Sequence, residues 1–556
     1  MQRSYLVLLG SLLAAALLLI LLARTESRPR ARPLQATSPD TIASTGDNIG
    51  ANTGGNTGAN TNDGSSESTL GAMQSKRPAA DVPGANVGRV LLFCAASNRG
   101  AIEAIRADYE RETGRQIDVQ YGASQTLLSS LEVSGAGDLY LPADASFIEI
   151  AAAKSLIAEI LPLATMHAVV AVSKERPKGI SQFSDLLRKD IRLVQANPDA
   201  TAIGKLTREQ LTARGLWEEL ASATTAYRTT VNEAANDVVI GAADAAIVYD
   251  AVLHTYPTLV PIQMPELESA YSRVELAVIR SSKRPAEALH FARYVAARDR
   301  GLKRYAEHGF KIETGDVWSD TPELSVFAGA MLRPAIDKTI VDFEAREGVH
   351  VSRVYNGCGI LVAQMKAGQH PDVYFACDLE FMKSVPDLFP SSIDISQNEL
   401  VILVQKGNPH DIRSLRDLGR EGLRVGVGHE KQCAMGWLTQ NTLREGKVEQ
   451  EVMANVTVQS PTGDMLVNQL LAGGLDAAVA YLSNAAGAGE ALDAIQIKGL
   501  ACSVATQPFA IAIDSPHAQL AQRFLNRIRS VESKRLFMAQ GFKWTTDALA
   551  IGEHDH

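Results

Sequence analysis

At 556 residues, 46% hydrophobic and 21% charged, the chain has apolar material for several buried cores. A net charge of −9, with neither a basic stripe nor an aromatic platform, argues against a nucleic-acid partner. Five cysteines, Cys94, Cys358, Cys377, Cys433 and Cys502, cannot all pair internally and show no CxxC spacing, so neither a zinc site nor a redox dithiol is signalled.

Residues 4–23, SYLVLLGSLLAAALLLILLA, carry no charge. As a helix they reach about 30 Å, enough to cross a bilayer. No small-x-small cleavage pattern follows, which favours an uncleaved anchor over a removed signal peptide. Arg24, Arg28, Arg30 and Arg32 would by charge draw the following segment to the cytoplasm, against the ligand-binding reading below. Residues 33–88 are rich in Gly, Asn, Thr and Ser and lack the apolar content of a core, so they read as a tether with a reach of roughly 40 Å.

From residue 90 the chain states one pattern twice. Residues 90–144 match 324–378 without a gap at an offset of 234, pairing Phe93 with Phe327, Tyr121 with Tyr355 and Asp138 with Asp372. Further on the offset is 232, pairing Gly204 with Gly436, Asp244 with Asp476 and Tyr249 with Tyr481. So small a drift means two whole domains of one fold. Each copy opens with a short apolar strand, VLLF or LSVF, then a small-residue turn and an amphipathic helix such as AIEAIRADYERET. Strands alternating with helices predict a parallel sheet covered on both faces. Ligands of such sheets sit beyond the carboxyl ends of the strands, where helix starts point their N–H groups. The turns at 95–97, 122–124, 198–204 and 229–234 fall there.

The segments FCAASNRGAIEAI, VQYGASQTL, GDLYLPAD, AIGKLTREQL, DAAIVYDA and YAEHGFKI together resemble the hinged, two-lobed periplasmic solute-binding proteins, the molybdate- and tungstate-binding components of ABC transporters in particular. The resemblance implies an α/β fold of two tandem bilobed periplasmic-binding-protein (Venus flytrap) domains. The expected division is an N-terminal transmembrane or signal helix at 1–25, a linker at 26–88, a first domain at 89–318 and a divergent second domain at 323–546. Lobe crossovers are expected near 165–168 and 268–275, with counterparts near 395–400 and 500–507.

The family holds a tetrahedral oxyanion without a cationic clamp, through two serine hydroxyls, backbone N–H groups and a tyrosine. Carried over, these imply Ser97, Ser124, the amides of Ile203 and Val231, and Tyr249. Arg99 is either a solvated helix-start residue or a further contact, in which case sulfate and phosphate enter contention. In the second copy the same positions hold Met331, Cys358, Met435, Gly463 and Tyr481. Met and Cys are poor donors to a hard oxyanion but soft ligands. Three readings therefore stand: an emptied cleft filled by sulfur; a site for a soft metal, built from Met331, Cys358, Cys433 and Met435 near His429, or for a thio-anion or an oxidised-sulfur ligand; or an altered oxyanion site using Arg333 and Asn356. A Cys358–Cys377 disulfide stays open.

The implied function is extracytoplasmic capture of a small oxyanion such as molybdate for an ABC permease, with no cofactor. The alternative is a membrane-anchored sensor that uses such domains without transport. Catalysis finds little support: there is no nucleotide loop and no GxSxG, and Cys358 has no evident histidine base in sequence.

Overall fold

In the first repeat the strands are β1 (Val90–Ala95), β2 (Ile117–Gly122), β3 (Leu139–Leu141), β4 (Ile157–Ser173), β5 (Leu193–Ala196), β6 (Thr224–Arg228), β7 (Ala245–Tyr249), β8 (Leu259–Ile262), β9 (Tyr271–Ile279) and β10 (Lys311–Ile312). The second repeat supplies β11 (Glu323–Gly329), β12 (His350–Asn356), β13 (Val373–Phe375), β14 (Ile393–Gln405), β15 (Val425–Gly428), β16 (Val456–Ser460), β17 (Ala477–Tyr481), β18 (Leu492–Gln496), β19 (Val504–Ile511) and β20 (Lys543–Trp544). This computed structural model describes residues 89–547. The helix expected at 4–23 and the linker at 26–88 lie outside the described residues. Among the described residues no helix is long and apolar enough to cross a membrane.

The two sheets are built alike, in the orders β2-β1-β3-β9-β4-β7-β5-β6 and β12-β11-β13-β19-β14-β17-β15-β16. Each spans two lobes. β4 pairs with β9 as far as His167, and from Ala168 onward with β7. β14 changes partner in the same way between Glu399 and Leu400. One continuous strand thus serves both lobes, and the chain returns at Tyr271 and Val504. The sheets are mixed rather than parallel. β1, β2 and β3 run parallel, but β9 returns antiparallel to β3 and to β4 because it re-enters the first lobe from the second.

Helices seat on these strands by their apolar stripes. In α1 (Arg99–Thr113) the buried residues Ala101, Ile102, Ile105 and Tyr109 recur at helical spacing. The helices that begin at the cleft are α2 (Ser124–Ser134), α3 (Ala202–Ala213) and α4 (Val231–Val239), and α5 (Pro285–Val295) follows β9. In the second repeat α6 (Arg333–Glu347), α7 (Cys358–Lys366), α8 (Ala434–Glu445) and α9 (Gly463–Leu471) match α1 to α4, and α10 (Ala518–Ile528) matches α5. Each repeat has its own apolar core.

The repeats meet through charge. Glu347, at the end of α6, is fully buried and accepts bonds from Arg523 of α10 at 2.7 and 3.1 Å. Arg293 of α5 donates to its main-chain oxygen and lies 3.5 Å from its carboxylate. Burial pushes the Glu347 carboxyl up, but Arg523, Arg293 and Arg346 outweigh burial and hold it below the ordinary value. Arg346 pairs with Glu159 of β4, Nη2 to Oε2 at 2.9 Å. Asp316 caps α10 from the connecting segment, accepting the N–H groups of Gln519 and Leu520 at 2.8 and 2.9 Å. All these residues belong to the first lobes of their repeats.

Candidate functional site

Between the lobes of the first repeat lies a cleft enclosing about 250 Å³ of empty space, mouth included. Its lining brings together Ser97, Ser124, Ile203, Val231 and Tyr249, five of the six residues expected there, and contains no charged side chain.

Ser97 follows β1 in a single 3-10 turn, Ala96–Asn98. Its hydroxyl is buried and has no hydrogen-bond partner. Ser124 is the first residue of α2; its Oγ accepts the Ala143 N–H at 3.1 Å, which leaves its own proton free to donate into the cleft. At the start of α3, Thr201 Oγ1 accepts the Gly204 N–H at 3.1 Å and the Thr201 carbonyl accepts that of Lys205. The amides of Ala202 and Ile203 have no acceptor one turn back. Thr230 caps α4 in the same manner through Glu233, which leaves the Val231 and Asn232 amides in the corresponding place. Tyr249 lies beneath, its hydroxyl 2.8 Å from Ser272 Oγ. Burial pushes that phenol far above its usual range, so it is neutral.

Arg99 stands outside this group. It is exposed, stacks 4.3 Å from the Tyr121 ring centre and does not line the cleft. Arg333 stacks on Tyr355 at 4.8 Å, so the pair belongs to the shared scaffold. The cleft is closed, since the Gln125 N–H of the first lobe donates to the Ala200 carbonyl of the second at 3.2 Å. Lys205 also reaches across to Ser146 at 3.3 Å.

The second repeat keeps this frame and changes its contents. Met331, Cys358 and Met435 are buried where Ser97, Ser124 and Ile203 stand in the first. Cys358 Sγ accepts the Cys377 N–H at 3.1 Å, as Ser124 accepts Ala143. A hydrogen bond to Cys358, and then burial, raise the Cys377 thiol well above its ordinary value. All five cysteines are free.

Of the possible soft-metal ligands, Met331, Cys358, Cys433 and Met435 are all buried. Cys433 is the counterpart of Thr201, and its sulfur accepts the Gly436 N–H at 3.4 Å as a helix cap. Burial pushes its thiol up to about 12. Among the described residues no three His, Cys, Asp or Glu side chains gather around one point. Asn356 turns its Oδ1 to the Gly357 N–H, so it too faces its own backbone. Gly463 replaces Val231, and Asn484 Oδ1 lies 2.2 Å from where a Cβ would stand. Tyr481 has lost its partner. Asn398 pairs with Ala505 where Met166 pairs with Ser272, and the Tyr481 hydroxyl is buried without a bond.

Sequence reasoning missed Thr201, Thr230 and Ser272, and saw Cys377 only as a possible disulfide partner of Cys358, whereas both are free thiols. The two threonines each precede a helix start by one residue, a readable capping signal. Ser272 reaches the site only through strand pairing, and Cys377 through its N–H on the Cys358 sulfur.

A sequence model of the family described as bacterial extracellular solute-binding protein matches residues 90–311 and again 324–543. The molybdate-binding protein ModA of Mycobacterium tuberculosis (strain ATCC 25618 / H37Rv) is 26% identical over 221 residues, 39% of this chain and 83% of its own length. A binding protein of Haemophilus influenzae is 24% identical over 219 residues, 39% of this chain and 89% of its own. Of solved structures, the periplasmic molybdate-binding protein of Azotobacter vinelandii aligns with 41% of this chain and 100% of its own, at 16% identity and a TM-score of 0.35.

Proposed function

This chain belongs to the bacterial extracellular solute-binding proteins through both of its repeats, and from that premise we propose that the first repeat captures a compact tetrahedral oxyanion of the molybdate or tungstate kind for an ABC-type permease. The observation that carries the reading is the buried Ser97 hydroxyl, left without a partner in a cleft that also holds Ser124 and two helix starts. A dianion entering such a space leaves its water, so each oxygen needs a donor. Charge-assisted bonds from fixed hydroxyls and amides supply this at roughly 1.5–3 kcal/mol each. The helix starts add favourable dipole.

Most of that space is the open mouth, and the enclosed part has room for a compact ion only, far below the about 300–1,000 Å³ usual for organic ligands. Its lining has no carboxylate, so a protonated oxyanion such as phosphate meets no strong acceptor. The relatives named as molybdate-binding support the same ligand class. The second repeat lacks both serine donors and is read as degenerate for oxyanions. Nothing in this account needs chemistry: ligand bridges the lobes, the hinge at His167–Ala168 closes, and the closed form is what a membrane partner meets. The extracytoplasmic side and an N-terminal membrane anchor complete the proposal.

Calorimetric titration of the full chain with molybdate, tungstate, sulfate and phosphate tests it. The expected result is one equivalent of molybdate or tungstate per chain, bound more tightly than sulfate or phosphate. No heat with any of the four would overturn the oxyanion reading.

A further inference from the structure

We infer that the second repeat is held shut without a ligand, its own sulfur side chains standing where the first repeat leaves room for an anion. Both repeats make the same hydrogen bond across the cleft. In the first it runs from the Gln125 N–H to the Ala200 carbonyl at 3.2 Å, in the second from the Gly359 N–H to the Gln432 carbonyl at 3.0 Å. The residues around that bond differ in one systematic way: the first repeat has Ala123 and Gln125, the second Gly357 and Gly359.

The structure shows what those glycines permit. A Cβ on Gly357 would lie 2.4 Å from the Gln432 carbonyl oxygen and 2.5 Å from that of Pro461. A Cβ on Gly359 would lie 2.0 Å from the Lys431 carbonyl oxygen. All three oxygens are backbone atoms of the opposite lobe and cannot swing aside as a side chain can. The second repeat therefore closes to a distance that the residues of the first would forbid. Behind this contact Met331, Cys358, Cys377 and Met435 are all buried, so closure already excludes water from apolar and sulfur surface. An open form would have to wet that surface with no ligand to gain. Among the described residues no group of three His, Cys, Asp or Glu side chains competes for the space.

The lock rests on the reading that this cleft takes no oxyanion, and the two fail separately. A second equivalent of molybdate in the calorimeter would remove that reading, whereas thiol access reports the lock itself. In the reduced full-length chain, pulse labelling with iodoacetamide read by mass spectrometry should modify exposed Cys502 first. Cys358, Cys377 and Cys433 should react about a hundredfold more slowly or not at all, at a rate unchanged by molybdate or by a soft cation such as Ag(I). Restoring the residues of the first repeat with Gly357→Ala and Gly359→Gln should open the cleft and bring Cys358 and Cys377 towards the rate of Cys502. Circular dichroism establishes that the variant is folded; if it is not, the wild-type rates decide alone. Wild-type cleft thiols that react nearly as fast as Cys502, or that are shielded by an added anion or cation, would show a cleft that opens and takes a ligand, and would overturn the lock.

Discussion

The two clefts share a frame down to single hydrogen bonds, and differ in what the frame encloses. In the first, Ser124 Oγ accepts the Ala143 N–H; in the second, Cys358 Sγ accepts the Cys377 N–H at the same 3.1 Å. A cap built from Thr201 becomes one built from Cys433. The backbone problem is solved identically, and only the donors offered to a ligand are lost. A second class of difference concerns neither ligand nor fold. Glu347 stands where the first repeat has Thr113, and Arg293 where the second has Leu525. These departures build the junction between repeats. Divergence after duplication thus went to two places, one cleft and one seam.

The comparison can be broken most severely at the seam. Glu347→Gln would remove the carboxylate that Arg523 and Arg293 share in the buried seam, and should destabilise the chain by about 3–5 kcal/mol, read as a lower urea midpoint. Thr113→Ala, at the matching place in the first repeat, should change far less. Within the clefts, Ser97→Ala or Ser124→Ala should weaken molybdate binding by about 1–3 kcal/mol in calorimetry, while Cys358→Ala leaves it unchanged. Unaltered affinity in both serine variants would mean that the site is misplaced.

The frame itself offers a matched pair. Arg192 holds Asp244 down to about 2, and Arg424 holds Asp476 below its ordinary value. Both folded-state values are depressed, so this stabilisation is present above the ordinary carboxylate range and is lost as pH falls, for Asp244 towards about 2. Because both arginines are half exposed, Asp244→Asn and Asp476→Asn should each cost about 1 kcal/mol at neutral pH. The difference from wild type in thermal unfolding should vanish near pH 2. The smallest effect is expected at Arg99. Its replacement by Ala should shift molybdate affinity by less than about 0.5 kcal/mol, since the guanidinium lies on Tyr121 outside the cleft.

The repeat made the fold legible. The offset of 234 aligned strands and helix starts, and the crossovers expected near 165–168 and 395–400 fall where β4 and β14 change partner. What the sequence hid was side-chain direction. Cys433 read as a possible soft ligand beside Met435; the sequence did not show that a sulfur one residue before a helix also reaches the N3 amide and caps it. Arg99 read as a candidate contact, but an aromatic face on β2 was nearer than the cleft. Ser272 could not be found at all, because it meets Tyr249 only through the pairing of β9 with β4. Glu347 sits four residues after Phe343 on the buried stripe of α6, an anomaly that gains meaning only with Arg523 in view.

The seam has a mechanical consequence. It clamps first lobe to first lobe, so a partner that grips the second repeat also immobilises half of the first. The closure proposed about His167–Ala168 would then reach that partner as the travel of one arm, residues 168–270, against a stationary body. A free two-lobed protein divides its closing motion between both halves. If the first repeat closes on a ligand as proposed, the whole stroke falls to one side, and occupancy of a small cleft becomes a displacement of fixed direction.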